Sequence, residues 1–381
     1  MSRARVVYAF PTSHRFRVPF HEQVRAELAS RDITYDYLYD ADDDNEGKGD
    51  TERIAWATPV KQTNLRVGSR VLKLQHAWRA AAGADLLIVQ QQNNLLFNYI
   101  AQLRLVPGVK KVALFGHGRN FQADRPDALR ERFKRLWATK VDWWFGYTER
   151  TADVVAGHGF PRERITVFNN AIDTAAIGRE LAAIDPAMQE PLRQHMFGGS
   201  HNVGLYLGGL YWEKRVPFLL DAAVAARRAV PDFHLLVIGG GPQAELVRTA
   251  AAQHDWIRYV GPKFGTEKSL LASLARVQLM PGLVGLGILD SFAYGTPMVT
   301  TNVPFHSPEI DYIENGRNGV MIADPDDLAG YAAAVVRVLS DDAHRDALRA
   351  GAVETLATYT VENMVARFAD GVVQALAAER R

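Results

Sequence analysis

Pro281-Gly-Leu-Val-Gly-Leu-Gly-Ile-Leu-Asp290-Ser-Phe-Ala-Tyr-Gly-Thr-Pro297 is the stretch on which the reading of this chain turns. The strand-like run Val277-Met280 leads into it, and Ile288-Ala293 has helical character. A strand that passes through a glycine-rich turn into a helix leaves backbone N–H groups free at the positive end of the helix dipole, a cradle for phosphate. Asp290 falls about a turn inside that helix. It is placed either to accept from ribose hydroxyls or, as an ordinary first-turn acid, to favour the dipole.

The same rhythm extends on both sides. In the second half, strand-like runs at Val203-Leu207, His234-Ile238, Ile257-Val260, Met298-Thr301 and Gly319-Ile322 alternate with helix-like Pro217-Ala229, Gln243-Ala252, Glu267-Ala275 and Pro325-Leu339. In the first half, Val6-Phe10, Ile33-Leu38, Leu86-Val89, Val112-Phe115, Trp143-Phe145 and Ile165-Phe168 alternate with His21-Ala29, Ala128-Ala138 and Arg150-Gly157. Short apolar strands between helices predict parallel sheets covered on both faces. The fold class is therefore α/β, with two Rossmann-like doubly wound domains facing across a cleft. The expected divisions are an acceptor domain over 1–173, a linker over 174–202 containing Phe197-Gly-Gly-Ser200, a second domain over 203–355, and a helix within 356–381 packing back on the first domain.

Ligands of open α/β sheets sit at the carboxyl ends of the strands, where this chain concentrates glycine and polar residues. Gly239-Gly-Gly-Pro-Gln-Ala244 satisfies a loose dinucleotide-binding pattern, but on the second strand of its domain, and reads equally as a tight strand-to-helix turn. A nicotinamide-dependent oxidoreductase is thus the alternative enzyme class. No Gly-x-Ser-x-Gly elbow supports a serine hydrolase.

Composition narrows the field. The 381 residues are enough for two or three domains, 48% are hydrophobic, and 44 Lys and Arg against 43 Asp and Glu leave a net charge of +1, which argues against nucleic acid as a partner. With no cysteine there are no disulfides, thiolate metal sites or cysteine nucleophiles, in keeping with a cytoplasmic protein. No apolar run approaches the ~20 residues that span a bilayer. The acidic run Asp40, Asp42, Asp43 and Asp44 reads as a solvated loop, and no metal site is expected.

Taken together, Gly208-Gly-Leu-Tyr-Trp-Glu-Lys214, Val237-Ile-Gly-Gly-Gly-Pro242, Gly285 to Pro297, and Pro308-Glu-Ile310 followed by Asn315-Gly-Arg-Asn-Gly319 resemble retaining glycosyltransferases of family 4. The nearest match is a subgroup worded GLVGL, DSF and HSPEI. Gly116-His-Gly118 and Phe168 to Asp173 resemble that family's histidine loop and the segment ending its first domain. The resemblance implies a GT-B architecture and a retaining, metal-independent transfer of a hexosyl or deoxyhexosyl group from a nucleotide sugar, with no cofactor. It implies catalytic roles for His117, Lys214 and Asp290. Donor contacts would come from Gly208, Gly209, Arg215, Gly241, Lys263, the amides of Val284, Gly285, Leu286 and Gly287, and from His306 and Glu309. The family usually carries two acids spaced Glu-x7-Glu; here the first is Gly282. Its usual arginine is Gly209 and a usual glycine is Arg215, so a degenerate member that binds nucleotide or glycan without turnover is the third reading.

Between Lys61 and Lys140 stand fifteen Lys and Arg against four Asp and Glu. Val67, Val71, Leu74 and Trp78 flanked by Arg66, Arg70, Lys73 and Arg79 predict a basic amphipathic helix, as does Arg130-Lys140. Such helices suit an anionic membrane surface, here the inner face of the cell membrane, or else a charged outer face. His14, Arg15, Arg17, Asn93 and Arg119 are the acceptor-side candidates, for a glycan or lipid-linked saccharide used in cell-surface polysaccharide synthesis.

Overall fold

The computed structural model describes residues 3–40, 52–68, 70–118 and 136–381, with only the backbone of Arg70. The chain forms two compact units, one of Met1–Ile172 with Val361–Arg381, the other of Asp173–Thr360.

In the first unit, β1 (Ala4–Ala9), β2 (Ile33–Asp40), β3 (Thr58–Val60), β6 (Leu86–Gln90), β7 (Lys111–Gly116), β8 (Trp143–Gly146) and β9 (Ile165–Val167) form a parallel sheet in the order β3-β2-β1-β6-β7-β8-β9. Val6, Val7, Leu86 to Val89, Val112 and Ala113 are wholly buried, which is why these strands read as unbroken apolar runs. Strand order reverses between β1 and β6, so the crevice for a ligand opens at the carboxyl ends of those two strands. The helix Val18–Ser30 follows β1 and packs on the C-terminal helix Val361–Ala377. Phe368 of the latter meets the rings of Phe20, Phe145 and Phe168, and Lys111 Nζ donates to the carbonyls of Ala375 and Leu376 at its end.

The helix predicted through Val67 to Trp78 is not formed. Residues Gln62–Val67 (β4) and Arg70–Gln75 (β5) instead make an antiparallel hairpin, and only Trp78–Ala81 is helical. Gly68, at φ +60°, supplies the turn that an apolar spacing of four cannot announce. Leu65, Val67 and Val71 remain exposed on this ribbon. Of the second basic segment, Arg130-Lys140, and the helix predicted over Ala128-Ala138, residues up to 135 lie outside the described residues. So do Arg119 and, in the acidic run, Asp42 to Asp44.

The second unit holds β10 (Val203–Leu207), β11 (His234–Ile238), β12 (Ile257–Gly261), β13 (Val277–Met280), β14 (Met298–Thr301) and β15 (Gly319–Ile322), all parallel, in the order β12-β11-β10-β13-β14-β15. This is the doubly wound order, reversing between β10 and β13. Residues 174–202, expected as a linker, are largely two helices, Thr174–Ala182 and Pro186–Phe197, that belong to this unit. Asp173 and Asp185 accept from Ala176 and Ala187 N–H and cap them. Helices without a neighbouring strand carry no alternation, so the stretch looked empty.

Candidate functional site

At the reversal point of the second unit, the turn after β10 and the turn after β13 lock together. Leu283 N–H donates to Glu213 O at 2.8 Å, and Lys214 Nζ donates to Leu283 O at 2.5 Å. Gly282 lies flat against this contact: a Cβ there would sit 2.2 Å from Glu213 O and 2.7 Å from Lys214 Cα. Burial lowers the Lys214 pKa to about 8, with Glu213 and the buried Glu309 acting the other way. Beyond the lock, the N–H groups of Gly285, Leu286 and Gly287 have no acceptor among the described residues, and they precede or begin the helix Gly287–Tyr294. Asp290 lies in the first turn of that helix. Its Oδ1 is 3.2 Å from Lys268 Nζ; burial acts to lower the Lys268 pKa, but the carboxylate and Tyr294 outweigh it and hold it above its usual value. One ion pair leaves the carboxylate further acceptor capacity.

The Gly208 to Lys214 turn is braced by its neighbour. Leu210 N–H donates to Gly240 O, Gln243 N–H to Leu210 O, and Tyr206 Oη to Gly209 O. Gly239, at φ +151°, is where a Cβ would fall 1.8 Å from Gly208 O. The three glycines therefore serve loop-on-loop contact, which explains the dinucleotide-like spacing without a dinucleotide. Lys263, at the end of β12, pairs with Glu267 at 2.5 Å.

In the first unit, His117 follows β7 and stacks on Tyr147 with ring centroids 4.1 Å apart. Gln91, at the end of β6, clamps that loop: its Oε1 accepts from Gly118 N–H at 2.8 Å and its Nε2 donates to Gly118 O at 3.0 Å. After β1, the His14 ring stacks on Phe16, the exposed Arg15 lies 3.6 Å from Glu52, and Arg17 is buried. Asn93 is exposed, and its carbonyl accepts from Tyr99 Oη. Among the described residues no group of three or more His, Asp or Glu is placed to hold a metal ion.

The family described as Glycosyltransferase Family 4 matches residues 22–176, and that described as Glycosyl transferases group 1 matches residues 201–341. The chain belongs to glycosyltransferase family 4. Relatives include a glycogen synthase of Mycobacterium tuberculosis, 36% identical over 145 residues that span 36% of this chain and 34% of the relative. An O-antigen chain mannosyltransferase B of Escherichia coli is 25% identical over 220 residues, 56% of this chain and 55% of that one. The chain thus matches about a third to a half of the length of these two. Among solved structures, Anabaena Alr3699/HepE in complex with UDP and glucose superposes with a TM-score of 0.70 at 13% identity, covering 97% of this chain and all of that one, a likeness of GT-B fold.

Three residues expected at the donor make internal contacts instead. The Val284 N–H donates to His306 Nδ1 at 3.0 Å, so this amide is taken. His306 is itself buried, with Nε2 2.7 Å from Thr301 O; it holds the loop from behind. Arg215, expected as a phosphate cation, pairs with Asp326, donates to Pro325 O and packs on Phe218. It stands at φ +56° where family 4 usually has glycine, and these contacts offset the cost of that backbone. Lys268 and Tyr147 carry no signal in the sequence alone. Lys268 meets Asp290 from 22 residues away on another helix, a pairing no local spacing encodes.

Proposed function

We propose that this family 4 chain is a retaining glycosyltransferase that takes a nucleotide-sugar donor on its second unit and delivers the sugar to a hydroxyl of a glycan or lipid-linked saccharide held by its first. The observation that carries the reading is the run of three open amides, Gly285 to Gly287, flanked by Lys214 and Asp290 at the reversal point of the sheet. Amides at a helix start suit the diphosphate, and the Asp290 carboxylate suits ribose hydroxyls. As the bond from the anomeric carbon to the diphosphate breaks, negative charge builds on the leaving oxygen; the Lys214 ammonium behind the loop offsets it. The acceptor oxygen attacks from the same face and passes its proton to a phosphate oxygen, which preserves configuration. On the first unit, the family resemblance of its loop supports a catalytic role for His117.

A glycan acceptor is supported by the relative named as an O-antigen chain mannosyltransferase. Membrane contact, at the cytoplasmic leaflet, is carried by the hairpin rather than a helix: exposed Val71 shares one face of the ribbon with Arg66 and Lys73, and exposed Leu65 and Val67 stand on the other. No helix among the described residues is long and apolar enough to cross a membrane.

Calorimetric titration with uridine and guanosine diphosphates, followed by nucleoside diphosphate release across a donor panel, tests the proposal. Saturable binding and release that Lys214→Ala and Asp290→Ala abolish while the fold persists is the expected result. Binding without release from any donor would leave only a nucleotide-binding protein.

A further inference from the structure

Among the described acceptor-side candidates, Arg17 is the one that the fold buries. It ends the turn Arg15–Arg17 between β1 and the helix Val18–Ser30, at the carboxyl edge of the first sheet beside its reversal point, and it is only 8% exposed. Its guanidinium carbon lies 5.2 Å from the Phe16 ring, 6.0 Å from Phe20, 5.9 Å from Phe115 and 5.5 Å from Tyr147. The nearest polar contact of the side chain is Met364 Sδ, 3.8 Å from Nη1. Among the described residues no carboxylate pairs with it and no oxygen accepts from its guanidinium. Four residues upstream, in the same connection between β1 and the helix, Ser13 is 4% exposed and its Oγ has no hydrogen-bond partner among the described residues.

Aromatic faces attract a cation but do not accept its in-plane N–H groups, and a thioether is a weak acceptor. A buried guanidinium with five donors and no oxyanion is costly unless something brings the oxygens. Tyr147, one of the four rings, also stacks on His117, so the donors lie next to the histidine loop of the same unit. The planar fork of arginine matches phosphate oxygens two at a time, and a serine hydroxyl supplies another donor.

We propose that Arg17 and Ser13 form a phosphoryl-binding subsite on the first unit. Only the question of which molecule carries the phosphoryl group, acceptor or donor, rests on the transferase reading above. In either case the oxyanion completes a coordination shell that the free protein leaves open.

Hydrogen exchange of the full chain, with inorganic phosphate as probe at constant ionic strength, tests the subsite separately from the second unit. Phosphate is expected to slow exchange in a peptide covering Ser13 to Phe20. Arg17→Met should weaken that protection at least about tenfold, as loss of a charged hydrogen bond does, and Arg17→Lys should keep part of it. Uridine diphosphate titrated into Arg17→Met then names the source. Unchanged affinity assigns the group to the acceptor, and a similar weakening assigns it to the donor. Phosphate protection at Ser13 to Phe20 that is absent, or equal with and without Arg17, overturns the subsite. Failure of the transferase reading shows elsewhere, as no nucleotide-induced protection over Gly285 to Gly287 in the unaltered protein. If Arg17→Met does not fold, Arg17→Lys and Ser13→Ala read the same peptide.

Discussion

Lys268 Nζ stands 3.2 Å from Asp290 Oδ1, joining the helix Gly265–Ala272 to the first turn of the helix that begins at the open amides. Lys268 is also linked through its neighbour Ser269, whose Oγ meets Glu180 and, at 3.0 Å, Tyr294 Oη. Asp290 is therefore held from a second helix before any nucleotide arrives.

Removing the lysine should cost both order and binding. With side-chain exposures of 23% and 18%, the pair is sheltered enough that Lys268→Met is expected to destabilise by about 1–3 kcal/mol, below the range for a fully buried pair. It should also weaken nucleotide affinity, because the carboxylate loses its anchor. Denaturant unfolding and calorimetry on Lys268→Met, Asp290→Asn and the double variant check this. Purely additive effects in that cycle would show the two residues act independently.

Gly282 occupies the position of the missing acid because nothing larger fits. Gly282→Ala is expected to destabilise by about 1–3 kcal/mol, since its Cβ would meet backbone rather than a yielding side chain. Gly282→Glu, restoring the family spacing, should lower nucleotide binding instead of raising it by pushing Lys214 off Leu283. Thermal unfolding and titration of both variants give the answer, and a gain of affinity in Gly282→Glu would mean the turn can open.

Lys214 gives a pH signature. Its pKa is lowered by burial to about 8, so between that value and its usual range the unfolded chain holds a proton the folded chain has released. Stability therefore rises with pH across that window, and Lys214→Met should flatten the rise. Nucleotide affinity should run the opposite way, falling as pH climbs through about 8 and the ammonium is lost. Chemical denaturation and diphosphate titration between pH 6.5 and 10 record both trends.

The hairpin predicts a lipid dependence. Sedimentation with vesicles containing phosphatidylserine should retain the chain, and retention should fall when Arg66 and Lys73 become Glu, by about 1 kcal/mol for each basic residue removed. Val71→Ser, on the same face as those cations, should weaken it further without altering unfolding, as this side chain is already exposed. Equal retention on neutral vesicles would remove the electrostatic part of the argument.

How far the sequence carried this reading depended on how local each determinant was. Runs such as Leu86 to Val89 and Leu235 to Ile238 announced buried parallel strands because both faces of each are covered. The turn Pro281 to Gly287 announced itself because glycine, strand end and helix start are contiguous. The hairpin misled because Val67, Val71 and Leu74 satisfy a helical spacing while Gly68 quietly sets a turn. What the sequence withheld was tertiary: the Val284 amide is claimed by a histidine 22 residues later, and Arg17 is indistinguishable from Arg15 until one of them finds Glu52 and the other aromatic rings and a thioether.

The helix Val361–Ala377 completes the first unit although almost two hundred residues of the second are made before it. During synthesis the leading portion must then wait, with Phe20, Phe145 and Phe168 lacking Phe368, while the later portion can already close its own core. Maturation of this chain thus runs from the middle outward, and a ribosome that stops near Thr360 releases a finished half joined to an unfinished, sticky one.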